Sequence, residues 1–404
     1  MSKPVKRFLA VPLLGLMVSL SGCDRPSNQS TVTLWHPWGG AELSALKEAI
    51  AQYQTSHPGT EVVALQVPSD KLQDKYLRST AANGGPDLVV GFTDWVGKFA
   101  QSEVIAPLDG QVPKALSDRY VPVALSALRY QGKLYALPES METLALYYNK
   151  DLVHGKPPET LEELFIQANS RDYWSGDYYL AYNTQFFFTA GYLFGMGGTL
   201  LQPDGTVRLD TPGAQNWMKL IKDLKTHPYI AAKSDYGRAD SLFRDGKAAM
   251  TINGPWALGD YQKVFGDKLG VATLPMVEDK VPAVPFVGVK CLMFNPNSTP
   301  PARARAMEFA SFMASPEVVS RFEREAGHIP AVRDVQIPDG DKLQAFAEQA
   351  RWGTPMPPNP EMKEVWAPMD QAIEKVMTDS APAAQAISEA QRVISAKIEA
   401  VRNQ

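Results

Sequence analysis

The chain of 404 residues has only two cysteines, Cys23 and Cys291. Cys23 belongs to the N-terminal segment described below, which leaves Cys291 without a partner for an internal disulfide. Folding must therefore depend on a hydrophobic core rather than on a cystine framework. Cys291 itself lies in an apolar run, where a packed strand residue is expected rather than a reactive thiol.

The sequence also lacks the common motifs of catalysis and cofactor binding. The five histidines, His36, His57, His154, His227 and His328, are scattered and show no metal-ligand spacing. The P-loop pattern and the Gly-x-Ser-x-Gly elbow are both absent. No metal, nucleotide or other cofactor is predicted. A glycosidase would need two positioned carboxylates, and with 44 acidic residues the spacing alone does not exclude one.

An excess of positive charge is missing as well. The formal net charge is -4, and removal of residues 1–22 takes away three cations and no acid, which gives -7. Such a surface does not suit a nucleic-acid binder, which needs a basic stripe. After the apolar stretch from Phe8 to Leu20 there is no run of 18 apolar residues, so a water-soluble domain is predicted for the rest of the chain.

The N-terminus is typical of a secretory signal. A short basic segment precedes an apolar run that is too short to span a bilayer permanently. The tetrad Leu20-Ser21-Gly22-Cys23 resembles the lipobox of bacterial lipoproteins. We therefore predict a signal peptide at 1–22, lipidation of Cys23 and a polar tether at 23–31. Asp24 predicts retention on the periplasmic side of the inner membrane, or the outer face of the cell membrane in a Gram-positive host.

The mature chain of about 380 residues exceeds what one hydrophobic core usually holds, which indicates two lobes. From Val32 the patterns alternate between strand and helix in the order β-α-β-α-β. This order predicts an α/β fold with a parallel sheet. Ligands of such sheets bind in the loops after the strands, here His36–Glu42 and Gly91–Trp95.

The middle of the chain contains two strands that connect the predicted lobes. Leu144 to Tyr148 forms an unbroken apolar strand and is expected to lead into the second lobe, and Pro285 to Phe294 to lead back. Glu142 precedes the first of these strands by two residues. A carboxylate at that place needs partners, and sugar hydroxyls are one possibility. A solvated loop glutamate is the alternative.

Trp256 directly follows a predicted strand and turn. Ala248 to Ile252 has the small and β-branched residues of a buried strand, and Asn253-Gly254-Pro255 ends it abruptly before Trp256. An indole at such a turn is a flat platform that suits the apolar face of a sugar. A packed core tryptophan would give the same pattern. Other aromatic residues also lie in or beside loops: Trp38, Trp95, Phe186 to Phe188, Tyr236 and Trp366.

Several ordered blocks carry a family resemblance. They are Gly132–Leu134, Tyr147–Leu152, Ala249–Trp256, Pro285–Val289 and Met356–Trp366. From Val32 to its C-terminus the chain resembles the extracytoplasmic sugar-binding proteins of ABC importers, of the maltose/maltodextrin-binding type. The resemblance implies two lobes, each a mainly parallel sheet flanked by helices, joined by a hinge that the chain crosses more than once. We expect the first lobe at 32–140 with 290–330 and the second at 141–289 with 331–404.

The resemblance also implies a ligand site. Trp256 and Trp366 match the family's stacking tryptophans, Tyr236 matches a third aromatic residue, and Phe187 replaces a tyrosine. Met356 matches an apolar contact, and Asp94 and Glu142 match carboxylates that bind hydroxyls. Two loops depart from the family pattern. Gly91 to Trp95 loses an aromatic residue and an arginine but gains Trp95, and Trp38 to Glu42 stands where Asp-Lys is expected, which adds Trp38 and Glu42 as candidates.

The predicted function is capture of a glucose-containing oligosaccharide, of the maltose or maltodextrin type, between two closing lobes. The expected partners are the permease subunits of an ABC importer with a separate ATPase, and the membrane through the lipid anchor only. The protein is expected to be a monomer and not an enzyme. A binder of trehalose, sucrose or glucosylglycerol is the alternative in the same class, and a secreted glycosidase or a scaffold lipoprotein are alternatives in other classes.

Overall fold

The computed structural model describes residues 30–202, 206–338 and 340–402. The predicted signal peptide, Cys23 and residues 24–29 of the predicted tether lie outside the described residues. Among the helices that are described, none is both long enough and apolar enough to cross a membrane.

Fourteen strands are described, and the first five elements follow the predicted order of strand, helix, strand, helix, strand. In chain order they are β1 (Ser30–His36), β2 (Thr60–Gln66), β3 (Leu88–Phe92), β4 (Arg129–Tyr130), β5 (Lys133–Leu134), β6 (Ala136–Glu142), β7 (Ala145–Asn149), β8 (Tyr178–Asn183), β9 (Ile230–Lys233), β10 (Ala248–Asn253), β11 (Leu269–Ala272), β12 (Phe286–Phe294), β13 (Ile329–Pro330) and β14 (Thr354–Pro355).

The α-helices cover most of the remaining chain. They are α1 (Gly40–Ser56), α2 (Ser69–Ala81), α3 (Thr93–Gln101), α4 (Lys114–Ser117), α5 (Pro122–Ala127), α6 (Leu161–Ala168), α7 (Phe186–Gly195), α8 (Pro212–Thr226), α9 (Tyr236–Arg244), α10 (Leu258–Phe265), α11 (Pro300–Met313), α12 (Pro316–Ala326), α13 (Leu343–Trp352), α14 (Trp366–Met377) and α15 (Ala383–Arg402). Short 3₁₀ turns at Pro255–Ala257, Gly266–Lys268 and Pro360–Glu364 complete the helical elements.

Helix ends in both halves of the chain have residues that cap them. The Oγ of Thr160 accepts the N–H of Glu163, and Thr211 and Ser315 cap α8 and α12 in the same way, each before a proline at the first helical position. Gly327 ends α12 with φ +75°, in the left-handed region where a side chain would be strained. These local signals were readable in the sequence because each depends on only a few neighbouring residues.

The strands form two main sheets. The first has the order β13-β6-β12-β3-β1-β2, with β14 paired to β12, and the second has the order β11-β7-β10-β8-β9. In the first sheet β1 is parallel to β2 and β3, whereas β12 is antiparallel to β3 and β6. In the second sheet β8 is parallel to β9 and β10, and β7 is reversed. The predicted two-lobed α/β fold is confirmed, but the expectation of mainly parallel sheets is wrong, because parallel and antiparallel pairings are equally numerous among the described strands of each sheet.

The chain crosses between the two sheets three times. It passes from β6 to β7 and returns from β11 to β12. It leaves the first core again after Val335, because Met356, α14 and α15 pack in the second core, although β14 still pairs with β12. Each sheet has its own hydrophobic core. Ala331, Val332 and Val335 pack in the first core, so the first lobe extends beyond the predicted boundary at 330.

Candidate functional site

Glu42 and Asp94 lie in the first turns of helices, not in loops. α1 begins at Gly40, and α3 begins at Thr93 directly after β3, so the expectation of a loop through Trp95 is wrong. The hydroxyl of Thr93 attaches the first residue of α3 to the neighbouring strand β12. It accepts the N–H of Val289 at 2.9 Å and donates to its carbonyl at 3.2 Å, which holds the end of β3 against β12.

Trp256 is held in one orientation by its neighbours. Its Nε1 donates to the hydroxyl of Tyr236 at 3.2 Å, and the Nδ2 of Asn253 donates to the same hydroxyl at 3.4 Å. Gly254 has no side chain, and a Cβ there would collide with the indole ring. The turn after β10 therefore presents a half-buried ring whose position is set by a hydrogen bond and by a glycine.

The sequence-predicted aromatic residues of the second lobe lie together. The ring centroid of Phe187 is 6.2 Å from that of Trp256 and 6.4 Å from that of Trp366. Tyr236 joins the group through its bond to Trp256, and its side chain is one of the exposed large hydrophobic groups at 37%. We call Phe187, Tyr236, Trp256 and Trp366 the aromatic face. Rings at this spacing can contact consecutive apolar surfaces of a chain-like ligand.

A second group of side chains, all of them charged, lies together beside β6 and β12 of the first sheet. The Nζ of Lys290 lies 2.6 Å from Glu42 Oε1 and 3.9 Å from Glu142 Oε2. His328 lies 2.9 Å from the same oxygen of Glu42 through Nε2 and 2.8 Å from Glu139 through Nδ1. Together with Asp94 we call these residues the charged face. It consists of Glu42, Asp94, Glu139, Glu142, Lys290 and His328.

The carboxylates of this face differ in their electrostatics. Burial alone would raise the pKa of Glu42, but Lys290 and His328 hold it at about 2. Burial raises the pKa of Glu142 to about 7, against the opposing effect of Lys290. Burial also raises the pKa of Asp94 to about 6, although a hydrogen bond from Trp366 opposes this. Glu42 is therefore ionised across the physiological range, whereas Glu142 and Asp94 are short of partners when charged.

The two faces meet across the cleft between the lobes. The Nε1 of Trp366 donates to Asp94 Oδ2 at 3.2 Å, and the Nζ of Lys290 lies 5.7 Å from the centroid of the Trp256 ring. Farther along the same interface, α10 lies against α1 and α12. A Cβ on Gly259 would collide with the carbonyl of Glu325 and lie 2.8 Å from the Cβ of Ala41. The lobes therefore approach each other closely on this side of the hinge.

Three candidates lie elsewhere. Trp38 is 1% exposed and packs against Phe322 and His328 in the first core, and Trp95 is 7% exposed beside Phe92. Met356 is buried in the second core and continues the pairing of β14 with β12. The residues after a strand end can point to the core or to the cleft, and the sequence did not distinguish the two.

Sequence reasoning missed Lys290, His328 and Glu139. Lys290 was the readable signal, because it interrupts the apolar strand β12 and its side chain is only 5% exposed. A lysine in such a strand must be paired with an anion. Its partners Glu42 and Glu142 are far away in sequence, which is why no local pattern identified them.

Within residues 30–202, 206–338 and 340–402 no group of His, Cys, Asp and Glu is arranged to bind a metal ion. A cavity of about 910 Å³ lies beside β11 and α13, lined in part by Tyr148, Lys156, Gln349 and Trp352. It includes no residue of the aromatic face or the charged face. The cleft between the lobes is therefore the candidate site.

Two α/β lobes, three crossings of the chain and a cleft with unlike walls define the class of two-lobed solute-binding proteins. The comparisons with known proteins agree. The chain belongs to the family of bacterial extracellular solute-binding proteins, whose model matches residues 48–381. The location that this family indicates is outside the cytoplasm.

Individual relatives extend the similarity over almost the whole chain. The maltotriose-binding protein of Pyrococcus abyssi is 30% identical over 86% of this chain and 78% of its own length. The galactooligosaccharide-binding protein of Bacillus subtilis is 29% identical over 94% of this chain and 92% of its own. The maltose/maltodextrin-binding domain of Bdellovibrio bacteriovorus, solved with maltotriose, superimposes with a TM-score of 0.83 at 28% identity over 91% of this chain and all of that one. These relatives are binding proteins and not enzymes.

Proposed function

We propose that the protein is the substrate-binding lipoprotein of an ABC importer and captures glucose-containing oligosaccharides of the maltose or maltodextrin type. The observation that carries this proposal is the meeting of the aromatic face with the charged face. Pyranose rings have apolar faces that stack on indole and phenyl rings, and rims of hydroxyls that donate to carboxylates. The similarity to maltotriose-binding proteins supports a glucan as the ligand.

Binding and transport would proceed through closure. Trp256, Trp366, Tyr236 and Phe187 hold the sugar rings, while Glu42, Asp94 and Glu142 accept hydrogen bonds from hydroxyls. Closing of the lobes about the three crossings buries the sugar and presents one shape to the permease subunits. A separate ATPase subunit drives transport. The protein acts as a monomer anchored through Cys23 to the periplasmic side of the inner membrane, or to the outer face of a Gram-positive cell membrane.

A second ligand class follows from specific observations. One relative binds galactooligosaccharides, and the Gly91–Trp95 segment carries a changed set of residues beside Asp94. A galactooligosaccharide, or a smaller ligand such as trehalose, sucrose or glucosylglycerol, would use the same stacking residues with a different pattern of hydroxyls. Leaving a buried polar group unpaired costs about 1 to 3 kcal/mol, and a buried carboxylate costs more, so these sugars are separable by affinity.

The test is tryptophan fluorescence of the purified protein titrated with maltotriose, maltose, a galactotriose, trehalose, sucrose and glucosylglycerol. Saturable change with the linear α-glucans at the lowest concentrations supports the proposal. A preference for the galactotriose or for a disaccharide of another linkage moves the assignment to that sugar. No change with any sugar contradicts it.

Two further experiments test the finer parts of the proposal. Labelled palmitate should be incorporated into the wild-type protein and not into Cys23→Ala, and equal labelling of the two would contradict lipidation at this residue. Chromatography after prolonged incubation with maltotriose should return the intact sugar. Shorter products whose amount increases with the concentration of the protein would favour the glycosidase alternative.

A further inference from the structure

Two buried cations converge on one oxygen atom of Glu42. Lys290 donates to Oε1 at 2.6 Å, and His328 lies 2.9 Å from the same oxygen through Nε2. The side chains of Lys290 and His328 are 5% and 3% exposed. Neither residue belongs to the set of sugar contacts implied by the family resemblance.

The arrangement determines the protonation of His328. Its Nδ1 lies 2.8 Å from Glu139 Oε1, so each ring nitrogen faces a carboxylate oxygen. Ionised carboxylates only accept hydrogen bonds, so an imidazolium with a proton on each ring nitrogen satisfies both of these contacts. The Nζ of Lys290 lies 3.5 Å from the same Nε2 and is the cation that faces this ring. The other oxygen of Glu139 accepts from the hydroxyl of Ser140 at 2.7 Å. Burial opposes this charge and so does Lys290, but Glu139 and Glu42 raise the pKa of His328 above its ordinary value.

The second oxygen of Glu42 remains available. Within the described part of the chain, Oε2 of Glu42 has no hydrogen-bond partner, and it is not among the enclosed atoms without one. Tethering of Oε1 by two donors fixes the plane of the carboxylate at the start of α1. An acceptor fixed before binding loses little entropy when a hydroxyl reaches it.

We propose that Lys290 and His328 are positioning residues that hold Glu42 Oε1 so that Oε2 accepts a hydrogen bond from one hydroxyl of the captured sugar. The ligand part of this inference rests on the proposed function. Ser140, Glu139 and His328 form a chain of hydrogen bonds from β6 to α1, and Lys290 secures the same carboxylate from β12. A hydroxyl with the wrong stereochemistry leaves Oε2 unpaired, so this network contributes to the choice of sugar.

The first test is a double-mutant cycle in sugar affinity, measured by calorimetry with maltotriose or the sugar that binds most tightly in the panel above. His328→Asn should weaken binding about tenfold in the wild-type background and less than about twofold in the Glu42→Gln background. Equal losses in both backgrounds overturn the inference, because His328 would then not act through Glu42. His154→Asn, at a surface histidine, is the control for loss of an imidazole.

Two variants of Lys290 test the same inference in case His328→Asn does not fold. Lys290→Met should weaken sugar binding in the same coupled manner, and Lys290→Arg should recover most of the affinity because a guanidinium still donates to Glu42. Equal loss in the Met and Arg variants, with unchanged circular dichroism, counts against a positioning role for Lys290.

The last test needs no ligand. The imidazole of His328, followed by NMR, should titrate above its ordinary value, and Glu139→Gln should lower its pKa. An ordinary or depressed value overturns the network itself. Absence of binding to every sugar, with a raised pKa of His328, would instead overturn the proposed function and the ligand role of Glu42 while leaving the network in place.

Discussion

The two walls of the cleft use different physical means to present a binding surface. On the aromatic face the rings are positioned by packing, by one hydrogen bond to Trp256 and by the missing side chain of Gly254. On the charged face the groups are positioned by ion pairs between α1, β6, β12 and His328, the residue directly before β13. If the proposed function holds, the second lobe would supply contact area for the sugar rings, and the first lobe would supply directional acceptors that discriminate between sugars.

Removal of the central ring should have the largest effect. Trp256→Ala deletes the aromatic group nearest to Lys290 and is expected to weaken sugar affinity about 50-fold or more, because both the buried apolar area and the stacking contact are lost. Calorimetry measures the change. Trp352→Ala, whose ring is 54% exposed and lies outside the cleft, is the matched control and should bind as wild type. Equal affinities for both variants would show that the aromatic face is packing only.

Neutralisation on the other face should have a smaller effect on affinity and a larger one on selectivity. Glu42→Gln keeps the shape of the side chain but weakens its acceptor oxygen and removes the ion pair with Lys290, so affinity should fall about tenfold. The ratio of affinities between maltotriose and the galactotriose should move toward one. Glu48→Gln is the control on the same helix, with its carboxylate 60% exposed. An unchanged ratio would contradict the division of roles between the faces.

Closure of the cleft can be disturbed by a substitution that lies outside both the aromatic face and the charged face. Gly259→Ala introduces a methyl group that meets the backbone of Glu325 and the Cβ of Ala41, and these atoms have little room to retreat. We expect sugar affinity to fall about fivefold because the closed form is disfavoured. Small-angle scattering should show less compaction with ligand. Gly237→Ala, where the nearest atom to the new Cβ is 3.7 Å away, is the control.

The last prediction concerns stability and pH rather than sugar affinity. The pKa of Glu142 rises from its ordinary 4.5 to about 7, so the folded state binds more protons than the unfolded state between these values. Its contribution to the free energy of unfolding therefore falls as the pH rises through this range, by at most about 3 kcal/mol. Glu142→Gln should raise the melting temperature by a few degrees at pH 8 and leave it nearly unchanged at pH 4.5. The same gain at both pH values would contradict the stated cause.

The aromatic face was predictable because its signals are local. Trp256 follows a short strand and a turn, and the family blocks around Trp256 and Trp366 are continuous in sequence. The structure brings Phe187 and Tyr236 to the same place. Met356 has the family's residue type but is buried in the second core.

The charged face was predictable only in part. Glu42, Asp94 and Glu142 were identified as isolated carboxylates, but Lys290 and His328, which hold the pKa of Glu42 low, were not. Lys290 and Glu42 are 248 positions apart, and His328 and Glu139 are 189 apart. Only the folding of four elements around the first sheet brings these groups together. For the same reason the sequence did not show that the rings of Trp38 and Trp95 turn into the core.

The most direct test of the account is the structure of the protein crystallised with its tightest-binding sugar from the panel. The account predicts a closed cleft with pyranose faces on Trp256 and Trp366 and a sugar hydroxyl within hydrogen-bond distance of Glu42 Oε2. A sugar held outside the cleft, or one that contacts only a single lobe, would contradict the claim that the aromatic face and the charged face form one binding site.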